Sequence, residues 1–98
     1  MKVTIKNLAD FARKKDEEYP GQMCLTSSPQ TWLAAHYVTS QLGFECSVDS
    51  EGRVRRQTSQ EIMEIELPKK YIHWLVQRNF PKITYRQLAT RLDELGAK

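Results

Sequence analysis

The sequence predicts a small single-domain α+β fold, and three observations carry that prediction. Two helical stretches open the chain and two close it, each with its own start or stop signal. Between them, residues 44–67 alternate apolar and polar side chains with the period of a strand. No repeat, low-complexity tract or linker divides the 98 residues, so one modest core serves the whole chain. The expected order is (β)αα-βββ-αα.

The first segment has two readings. "KVTIK" alternates Val3 and Ile5 with polar neighbours, as a short strand does. A helix then follows in "NLADFARKKDEEY", with Asn7 as N-cap, Asp10 in the first turn, and Leu8, Phe11 and Ala12 on one face. The other reading starts the helix at Thr4 and takes in Ile5. Either way "YPG" at 19–21 ends it. "QMCLT" is a short apolar stretch of strand type. "SSPQTWLAAHYVTSQLG" reads as a helix capped by Ser28, with Pro29 at the first position and Gly43 at the left-handed end. Its apolar stripe is Trp32, Leu33, Tyr37, Val38 and Leu42.

"FECSVD" sets Phe44, Cys46 and Val48 against Glu45, Ser47 and Asp49, the pattern of a half-buried strand. "DSEG" is turn chemistry, with Gly52 free to take a positive φ. "RVRRQ" returns with Val54 inward and Arg53 and Arg55 outward, which makes a β-hairpin. "MEIEL" (63–67) alternates Met63, Ile65 and Leu67 with Glu64 and Glu66. It is the third strand, its glutamates placed to pair with the hairpin arginines. Pro68 opens the next helix, which carries Ile72, Leu75 and Val76 on one side and closes at "NFP". Thr84 and Gln87 form a capping box for the last helix, where Tyr85, Leu88, Leu92 and Leu95 recur at helical spacing before Gly96.

Composition excludes more than it assigns. Hydrophobic residues at 40% and charged residues at 28% exclude a disordered chain. No apolar run reaches the roughly 18–20 residues of a membrane helix, and the N-terminus shows no signal-peptide pattern, so no membrane partner and a cytoplasmic location are expected. Cys24 and Cys46 are therefore expected as free thiols. With His36 and His73 they match no compact metal-ligand spacing, so neither a metal nor a cofactor is expected.

There is no phosphate loop, nucleophile elbow or metalloprotease motif, and the expectation is that the protein is not an enzyme. Glu64 and Glu66 read as the wet face of a strand, and Cys46, between Phe44 and Val48, as a buried residue.

The net charge of +3 is unevenly spread: residues 1–50 carry −1 and residues 51–98 carry +4. The window 67–92 holds six basic residues and no acidic one, interleaved with Tyr71, His73, Trp74, Phe80 and Tyr85. Nucleic-acid surfaces combine cations for phosphates with aromatics that stack. The plainer reading makes the aromatics core and the cations the solvated face. Lys69, Lys70, Arg78, Lys82, Arg86 and Arg91 are the candidate contacts.

Two stretches resemble DNA-binding elements. "ITYRQLATRLDELG" (83–96) looks like the first helix of a helix-turn-helix. Residues 4–57 are similar in order to a winged helix-turn-helix: a supporting helix, a second helix, then a hairpin. The chain departs from that pattern in its long acidic linker "DEEYPGQMCLT" and in the lack of Lys or Arg across 28–42. The resemblance implies that Ser28, Gln30 and Thr31 face base edges and that Arg53, Arg55 and Arg56 hold the backbone of duplex DNA.

The expected function is that of a small basic DNA-binding regulatory protein, of the kind common in bacteria and their phages. The alternative is a protein-binding inhibitor or adaptor that occupies an acidic or nucleic-acid-binding surface of a partner protein. In that case an exposed Trp74 or Tyr71 anchors the interface.

Overall fold

The structure, a computed structural model, describes every residue except Pro29, Gln57, Gln60 and Lys98. Its elements run α1 (Ile5–Glu18), β1 (Met23–Leu25), α2 (Leu33–Leu42), β2 (Cys46–Val48), β3 (Arg53–Arg56), β4 (Ile62–Glu64), α3 (Lys69–Gln77), β5 (Lys82–Thr84) and α4 (Tyr85–Gly96). The result is an α+β fold with two antiparallel sheets, β2-β3-β4 and β1-β5.

Of the two readings for the first segment, the structure has the second. Thr4 caps α1, its Oγ1 accepting from the Asn7 N–H at 3.1 Å. The short strand expected at 2–6 is reduced to one parallel bridge between Lys2 and Glu66. Asn7 is inside the helix because Thr4 already satisfies its N–H.

α1 packs along α4. The buried residues are Leu8, Ala9 and Ala12 on one helix and Tyr85, Leu88, Ala89 and Leu92 on the other. The alanines keep the two backbones close. Gly96 serves the same end, since a Cβ there would sit 3.3 Å from Cγ2 of Ile5. Arg13 ties the pair on the outside, bonding Asp10 at 2.9 Å and also Asp93. The capping box is formed as expected: Thr84 Oγ1 accepts from the Gln87 N–H, and Gln87 Oε1 from the Thr84 N–H.

The second helix is shorter than its sequence signals. α2 begins at Leu33, and Ser28 is not its cap; the N–H groups of Thr31 and Trp32 both donate to the Ser28 carbonyl, which closes a separate turn. The expectation for Pro29 lies outside the described residues. Leu33, Ala34, Ala35 and Val38 are all fully buried, so α2 runs through the core with its first turn sealed. Gly43 ends it at φ 80°.

The hairpin is present. Val54 is buried opposite Val48, while Arg53, Arg55 and Arg56 are exposed. Asp49 Oδ1 accepts from the N–H groups of Glu51 and Arg53, both at 2.9 Å. Gly52 has φ 86°, and a Cβ there would lie 2.2 Å from the Ile65 carbonyl oxygen. Only glycine lets the turn meet residue 65, whose N–H donates to the Gly52 carbonyl at 2.8 Å.

The third strand is Ile62–Glu64, not 63–67. Met63, expected inward, is 42% exposed, as β4 is an edge strand whose three residues are all exposed. From Ile65 the chain turns to the N-terminus instead: Val3 donates to the Glu66 carbonyl and Glu66 to that of Met1. Glu64 does stand opposite Arg53 in the ladder, but the Arg53 guanidinium bonds Glu51 at 2.6 Å.

Candidate functional site

The eleven candidate residues do not gather on one surface. Gln30 is exposed and Thr31 half-buried in the turn before α2, and Thr31 Oγ1 donates to the Leu25 carbonyl at 3.0 Å. Arg53 and Arg55 share the outer face of the β2-β3-β4 sheet with Ser47 and Ile62. Arg56 faces the other way, its guanidinium 4.4 Å above the Phe44 ring. Lys69 and Lys70 occupy the first turn of α3, where the helix dipole disfavours cations. Arg78 lies at the other end of that helix, and Lys82 is on β5 opposite Leu25. Arg86 and Arg91 are neutralised by Asp16 at 3.1 Å and Glu94 at 3.0 Å.

The aromatics of the basic window divide. Tyr71 and Tyr85 are core, Trp74 is half-buried and Phe80 is 40% exposed. Tyr71 is therefore no interface anchor. It sits at 0% exposure because α3 turns Tyr71 and Leu75, one turn apart, into the core.

What the structure brings together is a groove along α3. Ile72 and Val76, again one turn apart, project beside the sealed Tyr71–Leu75 row. Val76 is 55% exposed. The helix ends in a Schellman motif: Asn79 donates to the Val76 carbonyl at 3.1 Å and Phe80 to that of Leu75 at 2.8 Å. Asn79 and Phe80 both take left-handed conformations, φ 56° and 51°. The second is costly for an aromatic residue, and it turns the Phe80 ring back toward Leu75.

Two cavities meet along this helix at Ser50 and Ile72. The smaller, about 200 Å³, has Trp32, Val48, Leu75 and Phe80 as its apolar lining. Trp32 is held firmly there: its indole N–H donates to the Val48 carbonyl at 2.8 Å and its ring stacks on Tyr71. The larger, about 680 Å³, has Ile65, Leu67, Ile72 and Val76 as its floor. Glu51, Glu64 and Glu66 edge it, with Lys69 and His73 on the helix side.

The ionisable core groups lie elsewhere. Cys24 and Cys46 are free and buried. Burial pushes the Cys24 thiol up to about 11, so it is protonated at neutral pH and a poor nucleophile. Burial likewise raises Tyr85 to about 12 and Tyr71 well above its ordinary value. His36 is lowered, mainly by burial and then by Lys15. Among the described residues no three His, Cys, Asp or Glu side chains converge as metal ligands, and no helix is long and apolar enough to cross a membrane.

The groove was hidden in the sequence because the hairpin turn, the segment after β4 and α3 are separate in the chain. Val76 and Phe80 read as ordinary helix and loop residues until their exposure is known. No protein family, curated protein or solved structure matches this chain.

Proposed function

We propose that the protein is a protein-binding module, an inhibitor or adaptor, that docks its partner along α3. The observation supporting this reading is the apolar strip of Ile72, Val76 and Phe80 set against two joined cavities. Scattered exposed apolar residues need no explanation, but a contiguous strip in a concave surface is typical of interaction sites. Trp32, fixed by its bond to the Val48 carbonyl and its stack on buried Tyr71, limits the ordering cost of binding. The test is site-specific photo-crosslinking in cells from position 76, with exposed position 14 on α1 as control. A single protein adduct of defined mass from 76 alone supports the reading. The same adducts from both positions, or none from 76, defeat it.

Nucleic-acid docking is the second reading, and Arg55 favours it. Its cross-strand neighbours are Ser47 and Ile62, so no acid faces it in the ladder. With Arg53 and Arg56 it offers exposed cations on one short strand, to which Lys69, Lys82 and Arg78 would add charge from elsewhere.

A further inference from the structure

We infer that the partner segment bound along α3 is basic and amphipathic. The inference rests on the docking reading and adds the chemistry of the occupant. Residues 51–98 contain six acids, and three of them, Glu51, Glu64 and Glu66, edge the larger cavity. Of the others, Asp93 and Glu94 are engaged by Arg13 and Arg91. Glu51 is paired with Arg53, whereas Glu64 and Glu66 make no ion pair among the described residues. Carboxylates are thus concentrated at this groove in the half of the chain that carries +4 overall.

Among the described residues, Lys69 is the only permanent cation lining the cavity. Phosphate would be repelled by such an edge, whereas lysines or arginines would be drawn to it. The floor of Ile65, Leu67, Ile72 and Val76 requires apolar side chains on the same segment. The smaller cavity, floored by Trp32 and Leu75 and overhung by Phe80, suits one bulky apolar anchor. Asp49 and Ser50 on its rim leave room for a cation beside that anchor.

The test is an NMR titration of the labelled protein with two model peptides of helical apolar spacing, one of Leu and Lys and one of Leu and Glu. The Leu–Lys peptide should move the amide signals of residues 50–51, 64–67 and 72–76, and the Leu–Glu peptide should leave them in place. In the variant Glu51→Lys, Glu64→Lys, Glu66→Lys the first affinity should fall about tenfold or more, with a gain for the second peptide. These glutamates are exposed, so the variant should keep its fold, which the spectrum checks directly. Equal binding of both peptides in the groove overturns the basic partner and leaves the docking reading standing. Failure of both to perturb the groove overturns the two together. Movement of the same signals on diluting the protein alone identifies a second copy as occupant and also overturns the inference.

Discussion

The rings of Trp32 and Tyr71 stack with centroids 6.0 Å apart and planes 18° from parallel, joining the turn before α2 to α3. The Trp32 N–H is satisfied by the Val48 carbonyl, whereas the Tyr71 hydroxyl is buried with no partner among the described residues. Tyr71→Phe keeps the stack and removes an uncompensated polar group. It should raise stability by about 1–2 kcal/mol in denaturant unfolding. A loss of more than about 1 kcal/mol would show that the hydroxyl has a partner, such as an internal water. Tyr71→Ala should cost roughly 3–5 kcal/mol.

Gly52→Ala should be among the most damaging single-methyl additions. The new Cβ would meet the Ile65 carbonyl at 2.2 Å, on a residue at φ 86°. We expect a loss above about 2 kcal/mol, from strain and from separation of the turn from residue 65. Gly43→Ala is the control: its φ is 80° with nothing near the added methyl, so only the conformational cost remains. Equal losses for the two, measured by thermal unfolding, would show that the contact to Ile65 is unimportant.

Leu88→Ala or Leu92→Ala should each cost roughly 2–5 kcal/mol, since both are fully buried where α4 meets α1. Arg13→Ala on the surface of the same helix pair should cost less than about 1 kcal/mol, despite its two carboxylate partners. A shift under about 0.5 kcal/mol for either leucine would mean that α4 is peripheral to the folding unit.

Stability should fall in alkali through Cys24. The folded protein keeps the thiol proton to about 11, whereas the ordinary value is 9.0. Between those values the unfolded chain binds fewer protons, so unfolding free energy decreases as pH rises. The Cys24 share of that slope approaches about 1.4 kcal/mol per pH unit. It should vanish in Cys24→Ala, while the contribution of Tyr85, which runs from 10.0 to about 12, persists through burial and shrinks only by the part that Cys24 supplies. An identical slope in both proteins from pH 9 to 11 would place the Cys24 thiol in contact with solvent.

The nucleic-acid reading stands or falls on salt dependence. Replacing Arg53 and Arg55 by Ala should weaken binding to random duplex DNA evenly across sequences. The slope of log affinity against log salt should drop by nearly two units, at about 0.9 per phosphate contact. Arg53 already pairs with Glu51, so a drop near one unit would assign the contact to Arg55 alone. No change in slope, or no binding at about 50 mM salt, removes the hairpin from any nucleic-acid site.

Strong local signals were readable in the sequence, and relational ones were not. The Thr84–Gln87 capping box, the Gly43 stop and the alternation around Val54 each depend on residues a few positions apart, and each is present. β5 was missed because Lys82–Thr84 is too short to show a period and merges with the cap of α4. The start of α2 was misplaced because Ser28 and Pro29 carry capping chemistry, while the Ser28 carbonyl closes its own turn four residues early. The basic window looked like one surface only because its residues are consecutive. Folding sends them to α3, β5 and α4, where Asp16 from the far end of the chain neutralises Arg86. The acidic edge of the groove is the same effect reversed, as Glu51 and Glu66 are brought together by the β3–β4 ladder and the Gly52–Ile65 contact.

The contact between α1 and α4 also governs when the protein can form. Arg13 and Asp93 are 80 positions apart, and Arg86 and Asp16 are 70 apart. A chain emerging from the ribosome has α1 early but must hold its Leu8, Ala9 and Ala12 face open until α4 has been synthesised. Bringing such distant segments together makes folding slow for a chain of this size. During translation the exposed α1 face is a natural site for chaperone capture or for pairing with a second nascent chain. Circular permutation that joins the two helices through a short loop would make their contact local and should speed folding without altering the groove.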